Sequence, residues 1–137
     1  MMADETAELQ GLIDNIRPGG TLTLTRPWVC NRTIHMRSGV TLDGGGHTIR
    51  AETSGMELGG KLPRTRAHIR MSNLTDAIVR NLTIIGHNVE GGIGDAAYDP
   101  LLEAQHGFDI GGCTNVLVED CAVSQVDRKS TRLNSSH

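Results

Sequence analysis

Apolar and polar residues alternate in three segments of this chain, and the three segments resemble one another. The segments are Thr33-Ile-His-Met36, His68-Ile-Arg-Met71 and Gly107-Phe-Asp-Ile110. Alternation with period two is typical of a β-strand that buries one face, so Ile34, Ile69 and Phe108 should point to the same side. These three residues lie 35 and 39 positions apart. A repeat of this length predicts a stack of similar units rather than one globule.

Each segment is followed by two further short strands. The second strand should bury alternate residues, namely Val40 and Leu42, Ala77 and Val79, and Val116 and Val118. A bend follows at Gly44, Asn81 and Asp120, residue types that tolerate left-handed backbone. The third strands are predicted at 47–49, 82–84 and 121–123. Three strands per repeat, turned at small residues, predict an all-β fold: a right-handed parallel β-helix of about three to four stacked coils.

The first 20 residues read as a helix and a turn that cap this stack. Asp4 to Ile16 carries an apolar stripe with helical spacing, formed by Leu9, Leu12, Ile13 and Ile16. Asp4 can cap the helix start, and Pro18-Gly19-Gly20 ends it. Thr21–Leu24 alternates like a first strand, which Pro27 interrupts and Trp28–Cys30 resumes. Residues 21–126 then form the coils, whose core the helix covers at its open end.

Composition argues against several classes of protein. The chain has 17 Gly, few aromatic residues (2%) and a net charge of −3, which argues against a nucleic-acid-binding surface. It lacks an apolar run of about 18 residues, so no membrane span is expected. Cys30, Cys113 and Cys121 are an odd number without metal-ligand spacing, and they indicate no disulfide framework. No signal-peptide pattern follows Met1.

The chain resembles a known family in several motifs. These are Asp4-Glu-Thr-Ala-Glu-Leu-Gln10, Gly20-Thr-Leu-Thr-Leu24, Ser38-Gly-Val-Thr-Leu-Asp-Gly-Gly-Gly-His47, Val79-Arg-Asn-Leu-Thr-Ile84 and Cys113-Thr-Asn-Val-Leu-Val-Glu-Asp-Cys121. They are similar to the pectate-lyase-like, right-handed β-helix proteins (the pectin-lyase fold), over nearly all of residues 4–126. The resemblance implies a polysaccharide as substrate or partner, bound along the outer face of the first sheet, and an extracellular or virion-associated protein.

The activity stays open at this point, because this fold hosts lyases, hydrolases and epimerases as well as phage tailspikes. The paired acids and the Gly-His-Gly motif of polygalacturonase-type hydrolases are absent, and so is a lyase calcium or arginine signature. The first hypothesis is a carbohydrate-active enzyme; the alternative is a non-catalytic glycan-binding or structural module such as a tailspike, which would be trimeric, or an adhesin segment. A third hypothesis is that the fragment has no function by itself, because its exposed last coil aggregates.

Residues 127–137 are set apart from the rest. Asp127-Arg-Lys-Ser-Thr-Arg-Leu-Asn-Ser-Ser-His137 resembles the translation of a sequencing adapter, and it is expected to lie outside the fold as an artefactual or disordered tail. On this interpretation the natural chain continues with further coils.

The first group of candidate functional residues forms a column of outward-facing side chains. His35, Arg70 and Asp109 are equivalent positions of the three repeats, so they should stand one strand spacing apart, about 4.8 Å. Asp109 could serve as an acid, a base or a calcium ligand, and Arg70 could pair with a uronate carboxylate. Asp109 and Arg70 are therefore the catalytic candidates, and His35 is a candidate for substrate binding. The alternative is a surface ion pair beside a solvated histidine.

The second long loop, 87–105, offers further candidates. Tyr98, Asp99, Glu103 and His106 combine an aromatic ring with acidic groups, a combination suited to stacking on a sugar and accepting bonds from its hydroxyls. The alternative is a solvated acidic insertion. A metal site from His87, Asp95, Asp99 and His106 is a weaker hypothesis, because its spacing matches no known signature. No cofactor is predicted, and calcium is compatible with these residues but not indicated by them.

Overall fold

The computed structural model describes residues 4–53, 67–87 and 106–124, together with the backbone of residues 131–134. His106 is described by its backbone only. These ranges contain one helix, α1 (Thr6–Asp14), and twelve strands. The strands are β1 (Thr21–Thr23), β2 (Trp28–Val29), β3 (Ile34–His35), β4 (Thr41–Asp43), β5 (Thr48–Arg50), β6 (Ala67–Ser72), β7 (Ile78–Arg80), β8 (Thr83–Ile85), β9 (His106–Gly111), β10 (Leu117–Glu119), β11 (Ala122–Ser124) and β12 (Thr131–Asn134).

The strands form three parallel sheets. Within each sheet, a strand pairs with the strands that lie three places before and after it in the chain. Sheet A has the order β1-β4-β7-β10, sheet B β2-β5-β8-β11 and sheet C β3-β6-β9-β12. Consecutive strands therefore lie in different sheets, and each set of three strands stacks on the set before it. We call these sets layers 1 to 4. The all-β prediction is confirmed: the chain is mostly parallel strands with one short helix. Trp28–Val29 belongs to sheet B, so it does not resume the first strand as predicted.

The predicted register is observed in sheet C. Ile34 lies opposite Ile69, and Ile69 lies opposite Phe108. All three side chains are buried in a single core cluster, together with the inward residues of sheets A and B. The core thus runs through the stack, and each layer adds side chains from its three strands to it. This packing supplies the apolar burial that a lone layer could not reach.

The corners between sheets A and B differ from the prediction in one respect. Asn81 and Asp120 have left-handed backbone, with φ of 54° and 52°, as expected. At the equivalent corner of layer 2, the left-handed residues are Gly45 and Gly46 rather than Gly44. Gly44 is required for a different reason: a Cβ there would collide with the backbone oxygen of Asn81 and lie 2.7 Å from Leu82 Cα. The third strands also begin one residue later than predicted.

Helix α1 is shorter than the predicted Asp4–Ile16 span. Asp4 is not the N-cap as predicted: the helix is capped at Glu5 without a side-chain capping bond, and Asp4, one residue earlier, accepts a hydrogen bond from the Thr6 backbone N–H at 3.2 Å. Leu9 and Ile13 are fully buried in the core, but Leu12 is 42% exposed. The buried stripe runs through Thr6, Leu9 and Ile13, and Leu12 falls outside it because the helix contacts the strands along one narrow line.

Two further observations complete the fold. Residues 131–134, predicted to lie outside it, form β12 and pair in parallel with β9, which places Arg132 opposite Asp109.

Among the described residues, no helix combines the length and the apolar character that a membrane crossing needs.

Candidate functional site

The outer face of sheet C carries the predicted column of polar residues. His35 on β3 lies opposite Arg70 on β6, and Arg70 lies opposite Asp109 on β9. Their neighbours Ile34, Ile69 and Phe108 are buried, so strand alternation turns the three polar side chains outward. We call His35, Arg70 and Asp109 the sheet C column. The structure brings these three predicted site residues together on one surface.

Arg70 and Asp109 form an ion pair within the column. The Arg70 Nη2 atom lies 3.5 Å from Asp109 Oδ2, and the two side chains are 26% and 28% exposed. A pair this accessible adds little to stability, because water competes for both charges. Both groups also remain within reach of a ligand, since neither is enclosed by the other.

His35 is held at the start of the column by helix α1. The Gln10 side chain donates to the His35 carbonyl oxygen at 2.8 Å and accepts from the His35 backbone N–H at 2.7 Å. Partial burial and the positive charge of Arg70 lower the pKa of His35, while Asp14 acts in the opposite direction. The imidazole is therefore favoured in its neutral form near pH 7, with a nitrogen lone pair available.

The candidates of the second long loop cannot be placed with the column. Tyr98, Asp99 and Glu103 lie outside the described residues. The backbone of His106 opens β9 and pairs with Ala67, in the same strand as Asp109.

The metal hypothesis also gains no support. Of its four residues, only His87 has a described side chain. In residues 4–53, 67–87 and 106–124, no three His, Cys, Asp or Glu side chains are close enough to share an ion.

His68 is buried although strand alternation places it opposite the inward residues of β6. It lies on β6 two positions before Arg70, on the outward face, yet only 1% of it is accessible. On the same face of β6, His68 is therefore buried and Arg70 is partly exposed, a local difference that the alternating pattern alone does not predict.

A cavity of about 670 Å³ lies beside the column, between the end of α1 and the turn that leads from β3 to β4. Its rim carries Asp14, Arg17 and Arg37, and its floor includes Met36 and Val40. Asp14 Oδ1 and Arg37 Nη1 are 3.4 Å apart. Arg37 is the next outward residue after His35 along the chain, so the cavity continues the polar surface of the column.

Sequence reasoning missed Gln10, Asp14 and these two arginines. Gln10 and Asp14 lie on α1, Arg17 lies in the turn after it and Arg37 in the turn after β3, so only the fold brings them together.

A second charged column, on sheet A, provides a comparison. Asp43, Arg80 and Glu119 lie in register on β4, β7 and β10. Asp43 Oδ2 accepts from Arg80 Nε at 3.0 Å, and Asp43 Oδ1 accepts from the Gly45 N–H at 2.8 Å. The Gly45 N–H and then the Arg80 guanidinium lower the pKa of Asp43. Both oxygens of the Asp43 carboxylate thus accept hydrogen bonds that hold the corner at Gly45 and the strand that carries Arg80. We therefore assign this column a structural role.

Comparisons with protein-family models, with curated proteins and with solved structures return no match to this chain.

Proposed function

We propose that this chain is part of a carbohydrate-active, right-handed parallel β-helix protein of the pectate-lyase-like kind, and that the outer face of its sheet C binds a polysaccharide. The observation that carries the proposal is the sheet C column, in which His35, Arg70 and Asp109 follow one another across adjacent strands. A ligand lying across the strands would meet one polar side chain per layer.

The topology supports the β-helix part of the proposal. Parallel strands that pair at every third position need connections that travel around the stack in one direction. Such connections between parallel strands are right-handed in nearly all proteins. The sequence motifs that resemble the pectate-lyase-like family span the same residues that form these layers.

The chemistry of the column suits a sugar chain. Adjacent strands are about 4.8 Å apart, comparable to the length of one sugar ring. Arg70 can donate two parallel hydrogen bonds to a uronate carboxylate, and Asp109 can accept from hydroxyls. Arg17, at the rim of the cavity beside the column, adds positive charge at one end of the track, where Arg37 is paired with Asp14. An acidic polysaccharide is therefore the favoured ligand.

One observation favours catalysis as a second candidate. His35 has a lowered pKa and lies in register with Arg70. A neutral imidazole can accept a proton, and a guanidinium beside it can neutralise a substrate carboxylate while that proton leaves. This pairing would suit β-elimination from a uronate. Arg70 and Asp109 remain the other catalytic candidates, with Asp109 as an acid or base.

Matched arginine variants test the binding proposal. Arg70→Gln removes the central charge of the sheet C column, and Arg80→Gln removes the equivalent charge from the structural column of sheet A. Binding to polygalacturonate and alginate is measured by calorimetry. We expect Arg70→Gln to weaken binding about tenfold, the loss of roughly 1.4 kcal/mol from one charged contact, and Arg80→Gln to leave affinity unchanged. Equal affinities of the two variants would overturn the proposal.

An activity assay separates the two candidates. Incubation with the same polymers, followed by ultraviolet absorbance for unsaturated products and by reducing-end analysis, reports elimination or hydrolysis. Products that disappear in His35→Gln would support the enzymatic candidate. Retained binding without any product would place the chain among non-catalytic glycan-binding modules.

A further inference from the structure

The cavity beside the sheet C column has walls that backbone hydrogen bonds hold in place. One wall is the end of α1 with the turn after it, the other is the turn between β3 and β4, and Leu74 comes from the equivalent turn of the next layer. The Gly19 N–H donates to Gly39 O at 2.7 Å, and the Gly39 N–H donates to Thr75 O at 2.9 Å. These bonds join the three turns into one stack, so the fold itself forms the cavity.

The rim of the cavity is positively charged. It carries two arginines, Arg17 and Arg37, against one aspartate, Asp14, which gives a net charge of +1. Arg37 pairs with Asp14 across 3.4 Å, but the two side chains are 58% and 43% exposed, so water and ligands compete for this pair. Within the part of the chain that the structure describes, no acidic side chain pairs with Arg17. An anionic ligand therefore meets one arginine without an acidic partner and a second that is weakly held.

Ser38 adds a neutral donor beside Arg37. Its Oγ atom accepts from the Thr75 N–H at 3.0 Å, which fixes the oxygen at the wall of the cavity. A hydroxyl that accepts one hydrogen bond can still donate its own proton, and a carboxylate accepts up to about four hydrogen bonds. The cavity thus combines guanidinium and hydroxyl donors, a set that binds a carboxylate through charge-assisted hydrogen bonds.

The floor of the cavity is aliphatic. Met36 and Val40 are 4% and 1% exposed, and Ile16 and Leu74 are partly buried against the same core. The volume of about 670 Å³ lies within the roughly 300–1,000 Å³ of small-molecule sites. A uronate ring has C–H groups that can pack on such a floor, and its carboxylate and hydroxyls can reach the rim. The cavity therefore suits an acidic sugar unit in both size and chemistry.

The cavity lies at one end of the binding track. β3 is the strand of sheet C nearest to α1, and the Gln10 side chain pairs with the outer edge of β3 at His35. A polysaccharide that crosses from β9 to β3 has therefore reached the last strand of sheet C on this side, within the described residues. Arg37 is the next outward residue after His35, so the following sugar unit meets the rim of the cavity.

We propose that this cavity binds the terminal uronate of the polysaccharide, so that the outer face of sheet C recognises a chain end rather than an internal segment. The inference rests on the proposed function, because the sheet C column supplies the rest of the track. Arg17, Arg37 and Ser38 bind the terminal carboxylate, which replaces Asp14 as the partner of Arg37. The aliphatic floor packs against the ring.

The stoichiometry of binding tests chain-end recognition on the unaltered protein. Calorimetric titration uses galacturonate chains of several defined lengths, all longer than the track. Because the two ends of a polysaccharide differ chemically, we expect one protein to bind per chain at every length. A number of bound proteins that grows in proportion to chain length would overturn the inference and leave polysaccharide binding by sheet C intact.

Matched arginine variants test the cavity itself. Arg17→Gln removes a charge from the rim, and Arg50→Gln removes an exposed arginine from sheet B, away from the track. With a galacturonate oligomer, we expect Arg17→Gln to weaken binding about tenfold and Arg50→Gln to leave it unchanged, with the circular dichroism of both variants unaltered. If Arg70→Gln weakens binding and Arg17→Gln does not, the cavity inference fails while the proposed function stands. If neither variant weakens binding, both fail.

Small acids show whether the cavity selects a sugar. Nuclear magnetic resonance follows the amides of Arg37, Ser38 and Leu74 while galacturonate monomer or acetate is added at equal concentrations. We expect galacturonate to shift these amides and acetate to shift them much less, because acetate has no ring to pack on the floor. Equal shifts from the two acids would overturn the inference, since the cavity would then bind any carboxylate.

Discussion

Gln10 of helix α1 binds both backbone groups of His35, which lies 25 residues later in the chain. One side chain amide thereby replaces the strand that β3 lacks on its outer edge. The contact fixes the helix over the end of the core, and it also positions the first residue of the sheet C column.

The first prediction concerns this contact. Gln10→Ala should lower the free energy of unfolding by about 1 kcal/mol, because two accessible hydrogen bonds are lost, each worth about 0.5–1.5 kcal/mol before water replaces it. The loss should occur although alanine favours helices more than glutamine. Urea denaturation measures it, and Leu12→Ala, on the exposed side of the same helix, serves as the control. An unchanged midpoint for Gln10→Ala would show that the helix is held by Leu9 and Ile13 alone.

The second prediction concerns the core. Phe108 is 2% exposed and lies in register with Ile69, whereas Leu117 is 46% exposed. Phe108→Ala should cost about 3–5 kcal/mol because it leaves a cavity within the stack. Leu117→Ala should cost less than about 1 kcal/mol. Similar losses for the two variants would be incompatible with a core that runs through the layers.

The third prediction compares alanine substitutions at two glycines, Gly44 and Gly11. An added Cβ at Gly44 would meet the backbone of Asn81 and Leu82, which cannot move without separating layers 2 and 3. An added Cβ at Gly11, within α1, meets nothing within 4 Å. Gly44→Ala should therefore lower the melting temperature, and Gly11→Ala should raise stability by about 0.5–1 kcal/mol. Thermal unfolding checks both, and a neutral Gly44→Ala would contradict the close approach of the two corners.

The fourth prediction concerns the stability of the fold at low pH. The pKa of Asp43 is lowered below its usual 3.8 in the folded chain, so the unfolded chain takes up this proton first as the pH falls. The stabilisation is present above that value and is lost as the pH drops through the folded-state pKa. Unfolding free energies at about pH 5 and about pH 3 should differ less in Asp43→Asn than in the wild type. Identical differences would show that the Gly45 and Arg80 contacts do not stabilise the carboxylate.

Much of the fold follows from local pattern. Period-two alternation identified the buried residues of sheets A and C, and the repeat offsets placed Ile34, Ile69 and Phe108 in register. The same register put Arg70 beside Asp109, so the column could be predicted from sequence. These features depend only on strand geometry, which the spacing of apolar residues records directly.

Other features depend on contacts between distant residues and leave no local signal. From sequence, Trp28–Val29 resembles the end of the first strand. In the structure a corner precedes it, and it pairs in sheet B instead. The bonds from Gln10 to His35 join a helix to a strand edge, and either residue type is ordinary at its own position. His68 has the spacing of an exposed residue, yet it is buried, because alternation specifies a face and says nothing about what covers that face.

Nuclear magnetic resonance titration with a galacturonate oligomer tests whether the outer face of sheet C binds a polysaccharide. The backbone amides of the whole chain are followed while the oligomer is added. We expect chemical shift changes that cluster at His35, Arg70 and Asp109 on β3, β6 and β9, with Asp43, Arg80 and Glu119 unaffected. Shifts confined to the second group, or no shifts up to millimolar oligomer, would contradict a polysaccharide-binding face on sheet C.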